Sequence, residues 1–314
     1  MYNSTIFNQT AHFVIPKPSL GWADYTLIVL HSLVFVIGTI GNCLVCKYFS
    51  LECKGLNQIQ KWIVYLAITD LLASILDPAI FITLILMDDN TNFGGDIGCK
   101  LVTPMAKVLK TLSFEIVMLI NIDRCIAILR PFSLTWSRTK IRVVLLIIIF
   151  IAFASNTHHF YYIKINEYMG RCGPGHPGFN YANVLVLLVR DLVFLAVFIV
   201  TMLAIRHELA SGSQKNDSFV NKKQRALENK KVSKTLVMVS TAFIVLIFPR
   251  DFLHIVFQGS WILNPLNGLR STALLMGFNS LLKFVQSLNS VCNVFIYAKI
   301  NQKFCRTVRK SIRR

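Results

Sequence analysis

Asp70 is the first residue in this sequence whose position demands a chemical explanation. It lies within Leu66-Ala67-Ile68-Thr69-Asp70, deep in a long apolar stretch. An ionisable group at mid-membrane costs about 3 kcal/mol or more unless it has a partner or a purpose. Five cations pose the same question: Lys107, Lys110, Arg190, Arg250 and Lys283 interrupt otherwise apolar stretches, with Asp77, Asp191 and Asp251 as available counter-charges. Lys107 and Lys110 are three apart and share one helical face, and Arg250 and His254, four apart, share another. This excess of cations over anions suits a carboxylate, a phosphate or the acidic part of a peptide. Lys107, Lys110, Arg190, Arg250, Asp251, His254, Lys283 and Gln286 therefore form the candidate ligand-binding set. The alternative is mutual neutralisation without a ligand, Lys110 pairing with Asp251 and Arg190 with Asp77 or Asp191. Catalysis is not indicated. His158 and His159 are adjacent and so cannot share a helical face; without metal-ligand spacing or a nucleophile arrangement, they are expected to rim a cavity.

Such residues need elements that hold them inside a bilayer. The chain has 314 residues, 54% hydrophobic and 15% charged, with mean hydropathy +0.56, which is too apolar for a soluble domain of that length. Apolar runs long enough to cross a membrane fall at roughly 26–50, 61–87, 99–129, 141–163, 180–206, 231–258 and 276–298. The expected fold is an all-α membrane protein, a bundle of seven transmembrane helices. The third run is the least obvious, because Lys107, Lys110 and Glu115 interrupt it.

The net charge of +18 raises the question of nucleic acid, and its distribution argues against that partner. Most of the basic residues flank the first and third connections, or lie in 206–234 and 299–314. By the positive-inside rule these segments are cytoplasmic and the N-terminus is outside. Residues 1–25 then form an extracellular tail, with acceptor sequons at Asn3 and Asn8, 26–298 the membrane domain, and 299–314 a cytoplasmic tail. A third sequon, at Asn216, falls on the cytoplasmic side and is expected to stay bare. Met1–Leu20 lacks the apolar core of a signal peptide, so the first helix is expected to act as its own signal. Cys99 and Cys172 are the two cysteines on the oxidising side, the other six (Cys43, Cys46, Cys53, Cys125, Cys292 and Cys305) lying in helices or on the reducing side. That placement suggests a disulfide pinning the loop after the fourth helix over the bundle.

With these elements in place, the chain resembles the rhodopsin-like G-protein-coupled receptors along essentially its whole length. Asn42 in Gly41-Asn42-Cys43-Leu44-Val45 looks like the family's first-helix asparagine, Asp70 like its second-helix aspartate, and Cys99 with Cys172 like its disulfide. Asp123-Arg124-Cys125 is similar to the Asp-Arg-Tyr motif, with Arg130-Pro131-Phe132 following. Asn293-Val294-Phe295-Ile296-Tyr297 is similar to Asn-Pro-x-x-Tyr, and Phe304 follows as expected of a short amphipathic cytoplasmic helix. The resemblance implies a plasma-membrane receptor that couples to heterotrimeric G proteins. It also implies a structural sodium ion among Asp70, Ser113, Asn289 and Asn293, whose hard oxygens suit a small cation; Asp70 and Ser113 would be its metal ligands. An ion-free polar knot is the alternative. Arg124, Asp123, Tyr297 and Pro249 would form the activation switch, Arg124 pairing with Asp123 at rest. A snorkelling interface arginine is the plainer role for Arg124.

The departures are specific. The fourth helix has no tryptophan, Trp136 lying before it; the fifth has no proline; Ile247 stands where the family carries its toggle tryptophan, and Val294 replaces the seventh-helix proline. Ala106 occupies the place of the aspartate that binds biogenic amines, and Ser287 that of the retinal-binding lysine, so amine and light sensing are not expected. Asp123-Arg124-Cys125 and the stretch Ser287–Asn293 are similar to vasopressin and oxytocin receptors, which leans the expectation towards an extracellular peptide or small anionic ligand. The turn-rich loop Lys164–Phe179 suits a small lid. A small transporter or channel, with Lys107, Lys110, Glu115 and Asp70 along a path, is the competing class, and nothing in the chain resembles an inverted repeat or a pore filter.

Overall fold

The computed structural model describes residues 21–49, 58–86, 95–130, 136–166, 171–176, 178–211, 219–264 and 272–300. Asn3, Asn8, Cys53, Pro131, Phe132, Asn216, Phe304 and Cys305 lie outside the described residues, as does the side chain of Tyr297. The described helices are α1 Trp22–Lys47, α2 Gln58–Leu86, α3 Gly95–Leu129, α4 Arg138–Ser155, α5 Thr157–Tyr162, α6 Gly178–Ser211, α7 Phe219–Leu263, α8 Ala273–Ser287 and α9 Asn289–Ile300. They match the seven expected runs once α4 with α5, and α8 with α9, are each read as one interrupted span.

Local chemistry sets several of the ends. The Asp24 carboxylate accepts from the Gly21 N–H at 3.0 Å and opens α1. Ser137 and Thr272 cap α4 and α8 by accepting from Lys140 N and Leu275 N, each at 3.2 Å, the usual way to satisfy orphan donors of a first turn. At the α4/α5 junction the Asn156 amide donates to the Ala152 carbonyl at 2.8 Å and to Thr111 Oγ1 at 2.9 Å. That side chain competes with the backbone for the carbonyl and interrupts the helix. In the last span the Ser287 hydroxyl donates to Phe284 O at 2.7 Å, and the Leu288 N–H is shared between Phe284 O and Val285 O, both at 3.2 Å. The break at Leu288 supplies an irregularity in a helix that lacks the family's proline.

Among the described residues, five helical stretches are long and apolar enough to cross a membrane. α3 carries the interrupting charges expected of the third run and so is not among the five, and the last span is split into two short helices. The bundle is nonetheless polar inside and apolar outside. His31, Asn42, Asp70, Asn121 and Asn293 are buried, while Phe150, Leu185 and Leu203 face outward, the arrangement a lipid solvent selects. The apolar core runs through Trp62, Leu66, Phe114, Val117, Phe194 and Phe243, with the Phe114 and Phe194 rings 4.5 Å apart.

The all-α expectation needs one addition. Part of the lid loop is a two-stranded antiparallel hairpin, β1 Ile163–Asn166 and β2 Arg171–Pro174, in the register Ile165↔Cys172. Cys172 is joined to Cys99 at the head of α3, Cα to Cα 5.6 Å. The hairpin is thereby anchored to the bundle, and Ile163 packs with Cys99 and Phe179 in a small second core.

Helices α1, α2 and α9 approach closely at two glycines. A Cβ at Gly38 would overlap the Ser74 side chain, and one at Gly41 would lie 2.9 Å from Val294 Cγ1. Gly38→Leu is expected to lower stability by about 1–3 kcal/mol through overpacking, seen as a lower Tm of the purified protein in nanodiscs, whereas the outward Leu33→Ala should leave Tm nearly unchanged.

Candidate functional site

A cavity of about 330 Å³ opens between α2, α3, α5, α6, α7 and α8 beneath the hairpin. Ile163, Cys172 and Phe179 close part of its mouth, and Asp70 and Ser113 lie at its inner end. All eight ligand-binding candidates read from the sequence line it: Lys107, Lys110, Arg190, Arg250, Asp251, His254, Lys283 and Gln286. His158 and His159 line it as well, their rings 4.2 Å apart. This is the expected place for them, at the rim of the cavity, on the short helix α5 that follows the break at Asn156.

The pairing of charges matches the expected one at Arg190–Asp191 and differs elsewhere. Lys110 forms an ion pair with Asp77 on α2, not with Asp251. Arg190 pairs with both Asp191, at 2.8 Å, and Asp251, and its guanidinium lies 4.9 Å from the centre of the Phe114 ring. Gln286 joins the two groups: its Oε1 accepts from Arg250 Nη1 at 2.6 Å and from Lys110 Nζ at 3.5 Å, and its Nε2 donates to Asp251 Oδ1 at 3.4 Å. One relay therefore links α2, α3, α8, α7 and α6 through alternating charge and amide.

Three cations stand apart from the carboxylates. Among the described residues Lys107 has neither an ion pair nor a hydrogen bond, Lys283 Nζ lies 4.5 Å over the Phe81 ring, and Arg250 has only Gln286 as a hydrogen-bond partner. Arg250 Nε, His254 Nε2 and His159 Nδ1 are buried without partners. On the opposite wall, Asn183 donates to Gln258 Oε1 at 2.6 Å and accepts from His158 at 3.3 Å. Sequence reading missed Asn183, Gln258, Asn156 and Thr111, since a neutral amide or hydroxyl in an apolar run carries no signal of its own.

At the inner end, Asp70 Oδ1 accepts from Ser113 Oγ at 2.7 Å and Oδ2 from Asn293 Nδ2 at 2.8 Å. Asn289 is buried beside them, and its Oδ1 has no hydrogen-bond partner. An orphaned amide oxygen next to a carboxylate and a hydroxyl is a donor set that fits a small hard cation. Asn42 donates to Ser290 O and Gly38 O, both at 2.9 Å, and ties the cluster to α1.

At the other end of α3, Arg124 Nη2 donates to Asp123 Oδ2 at 2.5 Å. Asp123 also accepts from Gln58 Nε2, and Gln58 Oε1 accepts from the Trp136 N–H at 3.0 Å. The Trp136 ring packs edge-on to the fully buried Trp62, centroids 5.9 Å apart. One turn inward, Asn121 Nδ2 donates to Ser240 Oγ at 2.9 Å, joining α3 to α7. Gln58, Asn121 and Ser240 were not foreseen. Pro249 lies within α7, directly before Arg250.

The sequence matches a family model described as 7 transmembrane receptor (rhodopsin family) over residues 41–297. The chain belongs to that family. Among similar proteins, a C5a anaphylatoxin chemotactic receptor 1 of Danio rerio is 23% identical over 65% of this chain and 62% of its own length. That match spans less than two thirds of the fish receptor. The Histamine H2 receptor of Homo sapiens is 26% identical over 89% of this receptor and 77% of its own length, and Lysophosphatidic acid receptor 6 of Gallus gallus is 33% identical over 37% of each chain. The local lean towards vasopressin and oxytocin receptors gains no support from these relatives.

The receptor's ion pairs give a direct test of the pairing. Asp77→Ala strands the Lys110 ammonium and is expected to cost about 3 kcal/mol. The double variant Asp77→Leu/Lys110→Met, which removes both charges, should recover most of that loss in a thermal melt.

Proposed function

We propose that this receptor sits in the plasma membrane with its N-terminus outside, binds an extracellular peptide or small anionic ligand in the cavity, and activates heterotrimeric G proteins at its cytoplasmic end. The observation that carries the reading is the trio Lys107, Arg250 and Lys283, three cations lining one cavity with no carboxylate paired to them. A buried unpaired charge costs several kcal/mol, and an anionic ligand offsets that cost. Ala106, buried in the cavity wall, offers no carboxylate to an amine, which argues against histamine-like ligands despite the similarity to a histamine receptor. The basic residues at 206–234 and 299–314 support a cytoplasmic placement of those segments and attract anionic lipid, at about 1 kcal/mol per residue.

On this reading Arg124, held by Asp123 at rest, is released when the cytoplasmic end of α7 moves away from α3, and a ligand biases that equilibrium only through differential affinity for the two states. Pro249 lets α7 bend, and Tyr297 completes the switch. Asp70, Ser113, Asn289 and Asn293 would hold a sodium ion in the resting state, which would supply positive charge to neutralise the carboxylate.

A screen of peptides and small acids on cells expressing the receptor with promiscuous G proteins tests the whole reading, and activation only by cationic ligands would refute it. With an agonist in hand, Arg124→Ala should reduce ligand-driven nucleotide exchange at least tenfold at unchanged surface expression; unchanged exchange would separate the fold from the mechanism. Agonist affinity should fall as sodium rises, and Asp70→Asn should abolish that dependence. An affinity insensitive to sodium in the unmodified receptor would favour the ion-free polar knot.

A further inference from the structure

The charge arrangement inside the cavity narrows the anion, on the assumption that the anionic reading above holds. Lys110 and Arg190 are already satisfied by Asp77, Asp191 and Asp251, so they hold the bundle together and are not free to bind. What remains is a set of donors on three different elements. Lys107 comes from α3, Arg250 from α7 and Lys283 from α8, and all three line the same cavity as His254. Arg250 Nε and His254 Nε2, both buried, lack acceptors there.

A carboxylate matches this poorly. It offers one charge and two oxygens in a plane, a shape suited to the fork of a single arginine, whereas here Arg250 Nη1 is already committed to Gln286 at 2.6 Å. Three cations arriving from three directions call for an acceptor with oxygens in three directions and more than one charge. A phosphate monoester has both, three terminal oxygens and a charge of about −1.5 to −2 at neutral pH. Leu187, Val186 and Phe179 also line the cavity and offer apolar surface to the organic part of the ester. The volume of about 330 Å³ lies at the low end for small-molecule sites and admits a compact headgroup, not a folded peptide segment.

We propose that the cavity recognises a phosphate monoester, its terminal oxygens held by Lys107, Arg250 and Lys283 with His254 as a further donor. The same headgroup occurs on single-chain lipids and on soluble metabolites, and the length of the attached chain separates the two.

The test uses the full-length receptor in nanodiscs, with glycerol phosphate, dodecyl phosphate and dodecanoate as probes and the shift in Tm as readout. Dodecyl phosphate is expected to raise Tm saturably, and dodecanoate at the same concentration to have at least tenfold lower apparent affinity. Lys107→Gln and Lys283→Gln strand no carboxylate, so each should fold at least as well as the unmodified receptor while weakening the phosphate response about tenfold or more. Comparable affinities for glycerol phosphate and dodecyl phosphate assign a soluble ligand; a strong gain from the chain assigns a lipid. Equal responses to dodecanoate and dodecyl phosphate overturn the phosphate assignment and leave the anionic reading standing. Absence of any response to all three anions in folded receptor overturns the phosphate assignment, as does a phosphate response that survives in both lysine variants; the anionic reading itself stands or falls with the screen of peptides and small acids.

Discussion

In hydrocarbon a polar group finds no water, so each one must be satisfied by another part of the chain, and the interior of this bundle is organised around that requirement. The solutions are graded by depth. Near the outer mouth, full charges are paired through Asp77, Asp251 and Gln286. At mid-depth a single carboxylate, Asp70, is held by a hydroxyl and an amide. Further in, the contact between α3 and α7 reduces to the neutral Asn121–Ser240 pair, before the Asp123–Arg124 pair where the helices emerge. The apolar packing of Phe114, Phe194 and Phe243 fills the space between these layers. Packing alone would not fix the rotation of each helix, since lipid solvates a leucine as well as a neighbouring helix does. Directional hydrogen bonds and ion pairs supply that specificity.

The hairpin follows from the same economy. A loop crossing the mouth would expose unpaired backbone to the cavity; pairing Ile163–Asn166 with Arg171–Pro174 satisfies it internally, and the bond from Cys172 to Cys99 holds the paired strands at the head of α3. The interruptions at Asn156 and Leu288 are the reverse case. There a side-chain amide or hydroxyl takes a backbone carbonyl, and the helix is interrupted beside Asn156 and Ser287.

Much of this was legible in the sequence because charge in an apolar run is rare enough to carry meaning. Asp70, the cation surplus, the disulfide and six of the seven spans announce themselves by composition or order; the third, interrupted by Lys107, Lys110 and Glu115, rests partly on the family resemblance. The partner of Lys110 and the second partner of Arg190, Asp251, did not announce themselves, for a definite reason. Helical periodicity says which residues share a face of one helix, but the choice between Asp77 and Asp251 depends on how neighbouring helices are rotated, and that is a property of the whole bundle. Gln58, Asn121, Asn183 and Ser240 were invisible for another reason: a neutral polar residue costs little to leave in a helix, so its presence distinguishes no site until its partner is seen.

The separation between committed and uncommitted cations has an evolutionary meaning. Lys110 and Arg190 are entangled with carboxylates, so replacing either one alone leaves an orphaned charge and endangers the fold. Lys107 and Lys283 carry no such debt. A lineage can exchange those two for neutral or acidic residues in single steps without first loosening the bundle, and each step changes what the cavity prefers to hold. Ligand preference in a receptor built this way is free to drift on a scaffold that stays fixed, so that descendants alike in fold come to answer to different molecules.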